Sequence, residues 1–118
     1  MNPLPKMLDD LDTFAARSSE TTRNGAQAFA RLLRLAETQD SGQMPRIARF
    51  LAATYNGRAF PFDVFELRAV DVAISDDMLC CLDALRWGRA DLHTLIPDGD
   101  ARVRTVIARW GLRWPSVS

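Results

Sequence analysis

The chain has 118 residues, 47% of them apolar and 25% charged, which fits one globular domain large enough to bury a core. No apolar run approaches the roughly 18 residues of a membrane span, and "MNPLPKMLDDLD" has prolines and acids where a secretion signal has a basic start and an apolar middle. Two adjacent cysteines make no disulfide framework, so a reducing, cytoplasmic setting is expected.

The formal net charge is zero but unevenly laid out. Residues 1–16 carry one Lys and three Asp, for −2, and residues 17–58 carry seven Arg and three acids, for +4. Residues 59–100 carry three Arg and nine acids, for −6, and residues 101–118 carry four Arg and no acid, for +4. Lys6 is the only lysine. A GC-rich genome would produce such an Arg bias, although Arg also suits interfaces through bidentate, weakly hydrated contacts.

In chain order, "KMLDDLDTFAARS" sets Met7, Leu8, Leu11, Phe14 and Ala15 on one helical face, with acids near its start where the helix dipole favours them. The polar "SSETTR" reads as a loop, after which Asn24 and Gln27 have capping-box spacing. The helix they would open turns Ala28, Phe29, Leu32, Leu33 and Ala36 inward. "QDSGQ" is a turn, and Pro45 fits the first turn of a helix that buries Ile47, Phe50, Leu51 and Tyr55. Asn56–Gly57 is expected to end it with a left-handed cap.

In "FPFDVFEL", Asp63 is expected to cap, Glu66 to reach back, and Phe62 to staple to Leu67. A stripe of Leu67, Val70, Ile74, Met78, Cys81 and Leu85 then runs to Gly88, as one helix or as two that break near Asp71. "RADLHTLIP" reads as a short helical turn, and Asp98 or Asp100 caps "ARVRTVIARWG". Trp114, just before Pro115, belongs to an extended tail. The expectation is an all-α, compact single-domain bundle of five or six helices. Residues 1–23 would form an extension of helix plus polar loop, 24–112 the core, and 113–118 the tail.

Few residues offer chemistry. In "AISDDMLCCLDALRW", adjacent helical cysteines cannot reach disulfide geometry, and a zinc site needs about four ligands in paired spacing. The single histidine, His93, has no such partner. Cys80 with His93 has no local support as a nucleophile and base. No phosphate loop, G-x-S-x-G or H-E-x-x-H is present. The expectation is a non-enzyme without metal or cofactor.

Two binding readings remain. "LRLAETQDSGQMPRIARFLAATYN" has the helix–turn–helix outline of a DNA reader, with Arg31, Arg34, Arg46 and Arg49 as candidate nucleic-acid contacts. Pro45, Ala48 and the neutral net charge count against it. The other reading uses the acidic block. Asp76, Asp83 and Trp87 are spaced to share one helical face, with Asp77 flanking it. Carboxylates beside a tryptophan would select a basic partner protein or complex.

The run from "ARLLRLAETQDSGQ" through "RIARFLAATYNG", "FDVFELRAVDVAISDDML" and "VIARWG" resembles a family of small uncharacterised bacterial proteins, a domain of unknown function common on plasmids and integrative elements. The resemblance covers roughly residues 26–112, and "FDVFELRAVDVAISDDML" is its most specific piece. It implies a compact helical fold and a mobile-element setting, and it transfers no site residues. Small cofactor-free proteins of such elements often bind host machinery. The expected role is therefore a protein–protein interaction module, in the form of a stoichiometric inhibitor of a host defence complex of the CRISPR type. A small DNA-binding regulator is the alternative.

Overall fold

The computed structural model describes residues 4–116. Among them are four α-helices: α1 (Leu4–Thr38), α2 (Met44–Tyr55), α3 (Val72–Trp87) and α4 (Gly99–Arg109). Short 3-10 turns lie at Val64–Arg68 and Leu92–Leu95. No described residue is in a strand. The class is all-α as expected, but the helix count is lower than the five or six expected.

The count falls because the first two expected helices are one. Residues 6–24 contain neither Pro nor Gly, so nothing in the backbone breaks the helix. The hydroxyls of "SSETTR" do not form a loop. Thr22 Oγ1 donates to the Ser18 carbonyl at 2.7 Å, a bond one turn back along the same helix. Asn24 is therefore an exposed residue in mid-helix rather than a cap. At 35 residues α1 is roughly 52 Å long, and the molecule measures 61 × 36 × 28 Å.

The second half of α1 is the spine of the core. Its Phe29, Leu32 and Leu33 are buried against Ile47, Phe50 and Leu51 of α2, Met78 and Cys81 of α3, and Val103, Val106 and Ile107 of α4. α3 runs antiparallel to α1: Arg31 meets Asp77, Gly25 meets Ala84, and Phe14 meets Trp87. The approach at Gly25 is so close that an added Cβ would overlap that of Ala84. Ser18 and Gly25 are both buried there, small residues that let two backbones come together.

Between α2 and α3 several expected caps differ. Asn56 has φ −152°, an extended rather than left-handed end to α2, and its side-chain oxygen instead accepts from the Arg58 and Ala59 amides. Asp63 does cap, accepting from Phe65 N–H at 2.9 Å. Glu66 does not reach back to it, because Arg46 and Arg49 hold both its oxygens. The stretch 63–87 is a 3-10 turn followed by α3, with the break at Asp71. Gln43 fixes this break from the start of α2. Its amide donates to Asp71 Oδ2 at 2.9 Å, and its oxygen accepts from Asp71 N–H at 2.6 Å. Ile74, Met78 and Cys81 face inward as read, but Ala84 completes the buried stripe and Leu85 is 45% exposed.

Gly88 (φ +68°) ends α3 and Gly111 (φ +68°) turns the chain just after α4. Asp98 is the N-cap residue of α4, in a left-handed conformation and without a side-chain capping bond. The far end of α4 closes the C-terminus of α1, whose last carbonyls lack helical partners. Trp110 Nε1 donates to the Ala36 carbonyl at 2.8 Å, and Arg109 donates to that of Glu37. Toward the C-terminal tail, residues 112–116 are without regular structure, and Trp114 packs edge-on to Phe60. Residues 117–118 of that tail and residues 1–3 of the N-terminal extension lie outside the described residues.

Candidate interaction surface

The acidic residues of α3 do not form a free negative patch. Asp77 turns toward α1 and takes a bidentate pair from Arg31, with Nε at 3.1 Å and Nη2 at 2.8 Å. That bond, ahead of the direct charge attraction, raises the Arg31 pKa above its ordinary value. Asp83 is held by Arg86 at 2.6 Å on the same helix. Asp76 is exposed. Trp87 is half-buried and lies edge-on to Phe14 at 4.8 Å, with the Arg17 guanidinium over its ring. Its indole Nε1 is buried without an acceptor. Trp87 thus closes the end of the α1–α3 contact.

The arginines of the nucleic-acid reading are largely engaged too. Arg46 and Arg49 converge on Glu66, at 3.1 Å and 2.7 Å. Arg31 is on Asp77, while Arg34 is exposed at the rim of a shallow hollow with Leu35, Ala73 and Ile74. The two sets of residues, separate in the sequence reading, are in part partners of each other.

The residues capable of chemistry sit in stabilising surroundings. Cys81 is fully buried, and burial, followed by the nearby Asp77 and Cys80 charges, pushes its thiol up to about 12. It donates weakly to the Gly25 carbonyl at 3.8 Å. Such a thiol is a poor nucleophile at neutral pH. The His93 ring lies against Tyr55 at 4.8 Å, with its Nδ1 buried and without a partner. Tyr55 O–H donates to Asp100 at 2.5 Å and accepts from Arg104 Nε at 2.8 Å. The bond to Asp100 raises the phenol and lowers the carboxyl, so neither group is poised as a base. This network ties the end of α2 to the start of α4. No group of three metal-ligating side chains occurs among the described residues.

A different surface stands out. Leu4, Met7, Leu8, Leu11 and Phe14 of α1 are each 52–63% exposed. They recur at three- and four-residue spacing, so they form one apolar stripe. That stripe lies on the same face of α1 that buries Ser18, Gly25, Leu32 and Ala36 further along. Sequence periodicity placed Met7, Leu8, Leu11 and Phe14 on a common face of the N-terminal extension without saying what covers it. The signal available in the sequence was the absence of Pro and Gly over residues 6–24, which lets one helix run on past the elements that could flank it. A smaller apolar area lies on α3, where Leu79, Leu82 and Leu85 are exposed.

No helix among the described residues is long and apolar enough to cross a membrane. No curated protein and no solved structure matches the chain. A family model matches residues 26–111, from the middle of α1 to the glycine after α4, so the exposed stripe of α1 precedes the matched part. With most of its length matched, the chain belongs to a family of unknown function, DUF7673.

Proposed function

We propose that this protein is a non-enzymatic protein–protein interaction module whose docking element is the projecting N-terminal half of α1. The exposed stripe Leu4–Met7–Leu8–Leu11–Phe14 carries this reading. Soluble monomers rarely leave a contiguous apolar patch of several hundred Å² in water unless it serves as an interaction site. At about 25 cal/mol per Å² and on the order of 100 Å² per side chain, covering each of these residues would contribute up to about 2.5 kcal/mol before the costs of association. Charge narrows the partner. The polar side of this segment carries Asp9, Asp10 and Asp12 against Lys6, which disfavours both anionic lipid and nucleic acid.

On the plasmid or integrative-element setting that the resemblance implies, the targets of such a module would be host complexes in the cytoplasm. A stoichiometric inhibitor of a host defence complex is the form we propose. The acidic block supports this less than its charge implies, because Asp77, Asp83, Glu66 and Asp100 each face an arginine. The DNA-binding alternative is weakened in the same way, since Arg31, Arg46 and Arg49 already hold carboxylates.

A photo-crosslinking residue placed at Leu11 in the producing cell tests the docking element, with the exposed Thr105 of α4 as control. Discrete protein adducts at Leu11 and none at Thr105 are expected. Equal or absent crosslinking at both positions would remove the reading.

A further inference from the structure

We propose that a second copy of this chain occupies the apolar stripe, the two N-terminal helix halves packing antiparallel about a two-fold axis. This rests on the reading of the stripe as an interaction surface and names its occupant in the free protein, which a host target would have to displace.

The geometry begins with the way α1 meets α3. Their contacts proceed from Arg31/Asp77 through Gly25/Ala84 to Phe14/Trp87, and there α3 stops, because Gly88 turns the chain away. The face of α1 that α3 covers continues beyond this point for about ten residues with Leu11, Leu8, Met7 and Leu4. Leu4 and Leu11 are seven apart, as are Met7 and Phe14, and the steps along the series 4–7–11–14 alternate between three and four residues. This is the two-position apolar seam of a heptad repeat, and continued inward it meets Ser18, Thr21, Gly25, Ala28 and Leu32, of which all but the half-buried Thr21 are buried. The exposed part is therefore a helix-packing seam that lacks the continuation of α3.

A second copy supplies that continuation. In an antiparallel pair centred near residue 9, Met7 of one chain lies opposite Leu11 of the other, and Leu4 lies opposite Phe14. Large apolar side chains thus meet in every layer, and the arrangement is its own complement, as a two-fold interface requires. The partner helix would enter where α3 ends and run in the same direction as α3. Its N-terminus, with positive dipole character, would then lie near the C-terminus of α3, with negative character, an attractive juxtaposition. A helix entering further inward would collide with Trp87, so the end of α3 limits the overlap to the exposed segment.

The area agrees with a modest dimer. Five side chains, each more than half exposed, present on the order of 500 Å² of apolar surface per copy, or about 1,000 Å² for two. That is about the lower bound for a specific interface, near 1,000 Å² in total. The dimer should form in a concentration-dependent manner.

Sedimentation equilibrium of the full chain between about 1 and 200 µM tests this. The wild type is expected to approach twice the 13.2 kDa chain mass. Leu11→Glu and Met7→Lys are each expected to be monomeric, with unchanged helical circular dichroism. Mixed in equal amounts, they should recover a dimer, because position 11 of one chain faces position 7 of the other. A wild type that stays monomeric throughout would overturn the second copy as occupant. Variants that dissociate but fail to pair on mixing would overturn the antiparallel register. The parent reading fails separately: a monomeric wild type that still crosslinks at Leu11 to a different protein removes the self-association alone, whereas no crosslink removes both.

Discussion

Gly25→Ala should destabilise this protein, although the same change in an exposed helix would stabilise it by roughly 1 kcal/mol. Gly25 is buried in the middle of α1, and a Cβ there would overlap the Cβ of Ala84 and come within 3.1 Å of the Cys80 carbonyl oxygen on α3. Neither obstacle is the end of a flexible chain, so the two helices must separate or bend. Overpacking of this kind costs about 1–3 kcal/mol. Set against the gain in helix propensity, the net effect should be a loss of up to about 2 kcal/mol, a drop of several degrees in Tm for a domain of this size. Adding Ala84→Gly should relieve the clash with the Ala84 Cβ and return stability toward wild type, the propensity gain at 25 and the propensity cost at 84 roughly offsetting each other. Urea unfolding followed by circular dichroism at 222 nm measures this, provided the m-value is unchanged. A Gly25→Ala variant with a higher midpoint than wild type would refute the close α1–α3 approach and, with it, the path of the seam from which the dimer is built.

Other consequences follow from particular contacts. Cys81→Ala should cost about 1–3 kcal/mol as a core truncation, and in the native protein a thiol reagent at neutral pH should modify Cys80 well before the buried Cys81. Equal labelling rates would contradict the burial. Glu66→Gln removes the charge that Arg46 and Arg49 share and should lower stability by about 1 kcal/mol; no change in the urea midpoint would mean that these pairs contribute nothing. The single tyrosine, Tyr55, should ionise above its ordinary value of 10.0 in an ultraviolet titration because its hydroxyl donates to Asp100, and Asp100→Asn should bring it back down. The signs are fixed. The raised Tyr55 value contributes stability that is lost as pH rises through it, and the lowered Asp100 value contributes stability that is lost as pH falls through it. A tyrosine titrating at its ordinary value would remove that hydrogen bond from the native state.

Local chemistry alone was enough to read the helical class, the Pro45 start, the stops at Gly88 and Gly111, and most of the buried faces, including Phe29, Leu32, Ile47, Phe50, Met78, Cys81 and Val106. These features depend on backbone conformations and periods that act within one helical turn. Other features were decided only by tertiary structure. Polar composition made "SSETTR" look like a loop, yet Ser18 and Gly25 are small where α3 packs against them, and that packing favours helix over the propensities of their neighbours. A period assigns side chains to a face but does not say how far the neighbouring helix extends along it. The face that carries Leu11 was legible but not that α3 ends short of it, and Leu85 was placed inside although Ala84 takes that position. The charges show the same limit. Arg31 and Asp77 are 46 residues apart and Arg49 and Glu66 are 17 apart, so blocks that look acidic or basic along the chain neutralise each other only once the helices are side by side.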